Sequence, residues 1–179
     1  MALMADATLE AFILRIISNE KIMNLMNLPT IYSNDDEKTK TKKRKVLIDK
    51  FINKTAQIPT GLGDEFKEIK IDNKKYSNYG KTRITVSFAQ SIAMHNDIFG
   101  NPQVDINVYY DNTNLDNVFK IIDLISDEFS GQDLEIKSEN ENSFIRNIRC
   151  EGQTSQTAMI NNYERMGIRF SFYATLYKN

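Results

Sequence analysis

Between Gly167 and Tyr177 apolar and polar residues alternate without a slip, with Ile168, Phe170, Phe172, Ala174 and Leu176 on one side and Arg169, Ser171, Tyr173 and Thr175 on the other. Only an extended strand, with its two-residue side-chain period, gathers such a set on one face, so this end of the chain belongs to a sheet with one buried side. The same period runs through Ile84, Val86 and Phe88, and again through Val104, Ile106 and Val108. Turn-forming Phe99-Gly100-Asn101-Pro102 lies between these two runs, which read as a hairpin or long-armed antiparallel pair. Leu134–Lys137 and Phe144–Cys150 add further strand patterns, and Phe66, Ile69 and Ile71 lead into a turn at Asp72–Asn73.

The first part of the chain keeps a helical period instead. After Asp6, read as an N-cap, Leu9, Phe12, Ile13, Ile16 and Ile17 form one apolar stripe; Ile22, Leu25, Met26 and Leu28 continue it to Pro29, with Ser18–Asn19 dividing the region into two shorter helices. Val46, Leu47, Ile48, Phe51 and Ile52 form another short helical face ahead of the Pro59-Thr60-Gly61-Leu62-Gly63 break. A central helix follows the capping stretch Asp111–Asn114, with Leu115, Val118, Phe119, Ile122, Ile125 and Phe129 at helical spacing and Gly131 as its stop. Phe119 and Ile122 are expected on its buried face. Helix, strands, helix and strands again, joined mostly by connections too short for parallel crossovers, specify an α+β fold: a mainly antiparallel sheet with helices packed on one face. A length of 179 residues fits a single domain, 1–179, without internal repeats.

Residues 33–45 contain no apolar side chain, and six of the eight from Lys38 to Lys45 are basic: Lys38, Lys40, Lys42, Lys43, Arg44 and Lys45. Preceded by Asp35, Asp36 and Glu37, this polar excursion reads as a loop or a solvated helix start. Lacking an apolar anchor, it is expected to be mobile until a phosphate or an acidic protein face holds it. The whole chain has 23 basic and 24 acidic residues, so it lacks the basic excess of a dedicated nucleic-acid binder. The charge is unevenly spread: residues 1–60 hold 10 basic and 7 acidic side chains, and the remainder 13 and 17.

Chemistry-bearing residues are sparse. The single cysteine, Cys150, forbids an intrachain disulfide or a multi-thiolate zinc site, and its strand setting points to a structural thiol. The single histidine, His95, has Asp97 nearby in Ala93–Asp97 and reads as a surface turn residue rather than a general base. Asp111–Asp116 resembles a calcium loop only superficially, since Leu115 stands where an oxygen is needed and the required glycine is missing. Glu139 and Glu141 belong to the polar turn Ser138–Ser143. Phosphate-loop, dinucleotide-binding, zinc-protease and nucleophile-elbow spacings do not occur in the sequence. No enzyme, metal or cofactor is therefore expected. The early apolar run Ala11–Leu14 stops at Arg15, far short of a membrane span, and Met1–Asp6 lacks the features of a secretory signal, so a reducing cytoplasm is the expected compartment.

The junction His95-Asn96-Asp97-Ile98-Phe99, the strand Val104–Tyr110 and the following Asn114–Gly131, with its Ile121-Ile122-Asp123-Leu124-Ile125 core, together resemble neck and tail-completion proteins of tailed bacteriophages. The resemblance covers residues 80–179 best; the first helix matches more weakly, and the basic excursion is longer than in a minimal member. It implies a non-enzymatic virion component at the neck or tail, assembled in the host cytoplasm. In particular it implies a tail terminator: a ring, commonly hexameric in the family, that caps the tail tube. Its implied partners are further copies of itself, the tail tube protein and a head connector or neck protein, with DNA at most passing through the lumen and no membrane contact. A head-completion or head-tail adaptor protein is the nearest alternative. A nucleic-acid-binding regulator using Lys38–Lys45 is the alternative of a different class.

Overall fold

The computed structural model describes residues 2–55, 69–71, 74–76, 82–89, 102–110, 115–137, 142–160 and 163–176. The Pro59–Gly63 break, Phe66, the turn at Asp72–Asn73, His95 and Asp97, the Asp111–Asn114 capping stretch, Glu139 and Glu141 lie outside them. In chain order the elements are α1 (Ala2–Ser18), α2 (Glu20–Leu25), α3 (Glu37–Lys50), β1 (Ile52–Lys54), β2 (Ile69–Ile71), β3 (Lys74–Tyr76), β4 (Arg83–Phe88), β5 (Gln103–Tyr110), α4 (Leu115–Phe129), β6 (Leu134–Lys137), β7 (Asn142–Ile160) and β8 (Tyr163–Leu176).

Six strands form one sheet in the order β1-β4-β5-β8-β7-β6, and β2 and β3 form a separate two-stranded sheet. Only β1 runs parallel to its neighbour, β4; every other pairing among the described residues is antiparallel. The expected antiparallel pair is β4 with β5, in the register Ile84↔Val108 and Val86↔Ile106. On β8 the next row of the same face is Met166, Ile168, Phe170 and Phe172, all buried. Helix α1 packs against β1 and β6, which stand at opposite ends of the sheet, so the sheet curls around it. At the centre Phe12 of α1 meets Phe129 of α4 with ring centroids 4.8 Å apart, and lies 5.9 Å from Phe172 and 6.4 Å from Phe170. Phe129 and Phe170 meet edge to face at 5.6 Å, a favoured aromatic geometry.

Several local expectations are corrected. Asp6 lies inside α1, which begins at Ala2, and forms an ion pair with Lys54 of β1 instead of capping the helix. The division at Ser18–Asn19 is present: Asn19 Oδ1 accepts the N–H groups of Lys21 and Ile22 at 3.1 and 3.2 Å and starts α2. That helix stops before Pro29 is reached. Asn27 takes the left-handed conformation (φ 52°), its N–H donates to Asn24 O and Leu28 N–H donates to Met23 O, so two of the carbonyls at the helix end are satisfied.

Of the two readings of the excursion at 33–45, loop or solvated helix start, the helix start holds from Glu37 onward. Asp36 Oδ1 accepts Thr39 N–H at 2.9 Å and caps α3, while Glu37 in the first turn and Lys50 in the last suit the helix dipole. Ile52, read from the sequence as helical, opens β1, where Ile84 N–H donates to Phe51 O at 2.8 Å. On α4 the buried residues are Val118, Ile121, Ile122, Ile125 and Phe129, whereas Phe119 is 47% exposed. At about 100° per residue Phe119 lies roughly a quarter turn from the centre of that buried stripe. Gly131 (φ 73°) closes the helix as expected, and its N–H crosses to Ile148 O of β7 at 2.8 Å. Finally, β7 extends ten residues past Cys150, where the sequence pattern ends, because register shifts between Arg146 and Arg149, Cys150 and Gly152, and Gln156 and Ile160 break the alternation without breaking the pairing with β8.

Candidate interaction surfaces

The six basic residues singled out from the sequence do not act as one patch. Asp36 caps α3, and the face that buries Leu47 also turns Lys43, one turn earlier, inward until it is only 8% exposed. Its Nζ donates to Asp35 Oδ2 at 2.7 Å and Thr30 O at 3.0 Å, and lies 5.3 Å from the centroid of the Tyr32 ring. A buried ammonium needs such an enclosure, since an unpaired charge would be costly to desolvate. The Lys43 hydrogen bond, aided by the Tyr32 N–H, holds the Asp35 carboxyl below its ordinary value. Lys40 is partly buried and pairs with Glu37 at 2.9 Å. Lys38, Lys42, Arg44 and Lys45 remain exposed. Lys38, Lys42 and Lys45 share one row along the helix at spacings of four and three residues, with Arg44 to one side.

The outer side of α4 carries the opposite charge. Asp116, Asp123 and Asp127 are exposed along one row, interrupted by Lys120. Beside it stand the exposed apolar residues Leu115 (41%) and Phe119 (47%). The apolar stripe dominates the sequence pattern of this helix and masks the second surface; the acids, placed at helical spacing, are the signal that marks it.

The sheet face opposite the helices is rich in arginine but mostly closed. Arg169 binds Asp105 through two nitrogens at 2.6 and 2.8 Å, a bidentate pairing that raises the guanidinium pKa. Ser171 donates to Glu151. Arg83, Thr85 and Tyr109 on this face are buried, whereas Arg146, Arg149 and Tyr173 at its β7–β8 end are exposed. Across β5 and β8, Tyr110 donates to Glu164 at 2.9 Å, and burial together with that carboxylate pushes the phenol up to about 12.

Among the described residues no group of three or more His, Cys, Asp and Glu side chains is placed to hold a metal ion, and Cys150 is exposed rather than packed in the interior. No helix among them is long and apolar enough to cross a membrane. Comparison with models of known protein families and with curated proteins gives no match.

Proposed function

We propose that this chain is a structural virion subunit of a tailed bacteriophage, a tail terminator that assembles into a ring, caps the tail tube and joins it to the head connector. The observation that carries this reading is the order and packing of the elements in the resembling region: β4 and β5, then α4 laid across β5, β7 and β8, then the short edge strand β6 and the long antiparallel pair β7–β8. A second support is the unlike charge of the outer sides of α3 and α4. A cyclic ring is built from two different surfaces that meet around a closed circuit, and such a subunit supplies them. Binding without chemistry is the mode of action, with each weak contact multiplied by the symmetry of the ring.

The exposed row Lys38, Lys42 and Lys45 favours one competing reading, a nucleic-acid-binding regulator. Asp49 shares the exposed side of the same helix and Lys43 is withdrawn from it, which leaves fewer cations for a phosphate backbone than the sequence offers.

Native mass measurement of the purified chain, alone and with a tail tube protein, tests the proposal together with electron microscopy of tubes grown in its presence. A closed ring and tubes ending at a defined length are expected. A chain that stays monomeric at high concentration even with the tube protein, or virions that lack it yet keep normal tails joined to heads, would overturn the assignment. Duplex binding that falls steeply with salt, in place of self-assembly, would establish the regulator instead.

A further inference from the structure

Phe119 is the most exposed large apolar side chain of α4 among the described residues. It is 47% exposed on a helix whose core contacts are made by other residues, and it stands three positions after Asp116 and four before Asp123, so that a carboxylate flanks it one turn away on either side. An open aromatic ring between two carboxylates is suited to a basic side chain: the methylene stem lies on the ring, the cation meets its face and the carboxylates pair with the charge. On α3, Lys38 and Lys45 are seven residues apart with Lys42 between them, and Asp116 and Asp123 are likewise seven apart. The lysine row is therefore about 10 Å long, and the acidic row from Asp116 to Asp127 about 16 Å, with Lys120 as a cation within it. Helix α3 packs beside β1 and α1, whereas α4 packs on α2, β5, β7 and β8, so the two rows occupy different parts of the subunit.

We propose that the Lys38, Lys42 and Lys45 row of one copy docks on the Phe119, Asp116, Asp123 and Asp127 face of a second copy. The occupant is argued from complementarity: three lysines on one row face three aspartates on the other, which outweigh the Lys120 among them, and Phe119 with Leu115 provides the apolar centre that a stable interface surrounds with charged groups. Because the surfaces differ, the contact is heterologous and propagates from copy to copy. That this propagation closes into a ring rests on the terminator reading; the pairwise contact does not.

Charge reversal tests it. Lys38→Glu, Lys42→Glu and Lys45→Glu together, or Asp116→Lys, Asp123→Lys and Asp127→Lys together, should each weaken self-assembly by about tenfold or more in sedimentation, as loss of close interfacial charge pairs does. Mixing the two variants should restore it, since each then offers the surface that the other needs. Phe119→Ser should weaken assembly comparably while melting at concentrations where both chains are monomeric shifts by no more than a few degrees, which separates docking from folding. Wild-type chain that remains monomeric, reversed variants that assemble like wild type, or a mixture that fails to recover would each overturn the proposal. A ring insensitive to charge reversal sinks this interface alone; a charge-dependent assembly that does not stop tube growth sinks the terminator reading alone.

Discussion

Lys43 Nζ lies 2.7 Å from Asp35 Oδ2, so the most basic run of the chain uses one of its own lysines to fasten the middle of α3 to the turn before the helix. Replacing Lys43 with Met keeps much of the stem but removes the donor of Thr30 O and leaves Asp35 with the Tyr32 N–H alone. A loss of roughly 1–3 kcal/mol is expected from uncompensated buried polar groups. The exposed Lys38, Lys42 and Lys45 should each tolerate Gln within about 0.5 kcal/mol. Urea unfolding of the four variants checks the contrast. The Asp35 carboxyl is held below its ordinary value of 3.8 by Lys43, so its contribution is present above that value and lost as pH falls through the lower folded value. The stability gap between wild type and Asp35→Asn should therefore narrow only below pH 3.8.

Tyr110 gives the opposite sign at the alkaline end. Burial, and then the Glu164 carboxylate that accepts its proton, raise the phenol from 10.0 to about 12. A raised folded value means that the native state holds the proton more tightly, so the contribution is complete below pH 10 and declines as pH rises towards 12. Ultraviolet titration of phenolate should show a late-titrating component in the folded protein that is lost in Tyr110→Phe and moves earlier in Glu164→Gln. Unchanged titration of both variants would remove the assignment.

At Gly131 the question is backbone strain alone. With φ at 73° the residue occupies the left-handed region, yet no heavy atom stands within 4 Å of where a Cβ would be. Gly131→Ala should therefore cost about 1–2 kcal/mol, and Gly131→Asn less, because asparagine tolerates this conformation better. Equal stabilities for the three chains in urea would show that the turn after α4 relaxes to another conformation.

Where a single period runs unbroken, the fold is legible in the sequence: the rows Ile84 and Val86, Val104 to Val108, and Ile168 to Phe172 lie in neighbouring strands of one sheet with their apolar sides together. Where tertiary contacts choose among local options it is not. Asp6 has the chemistry of a cap, but Lys54 of β1 gives it a partner from another element. The strand beyond Cys150 is hidden because the Gly152 bulge (φ 143°) resets the alternation. The candidate surface is half legible. Composition locates the basic run, and once the segment is helical the spacing of Lys38, Lys42 and Lys45 gives them one row; that Lys43 turns inward depends on the face that buries Leu47, a tertiary choice composition does not show.

The same issue of helical phase decides the contrast between Ile122 and Phe119. Spacing alone puts both in the core, because each keeps three- or four-residue spacing to another apolar residue of α4. In the structure Ile122 is fully buried among the core residues, whereas Phe119 flanks the acidic outer row. Ile122→Asp would bring a carboxylate into that core without a partner and should cost several kcal/mol, on the order of 3–5, enough to threaten folding of a marginally stable domain. Ile122→Val, which removes one methylene, should cost only about 1 kcal/mol and keeps the comparison measurable if the aspartate variant does not fold. Phe119→Asp should change the melting temperature by no more than a few degrees, since the lost ring is already open to water and the new charge remains solvated, although it extends the acidic row. Thermal unfolding followed by circular dichroism separates the two positions: comparable losses at both would mean that α4 is rotated by about a quarter turn from the phase described.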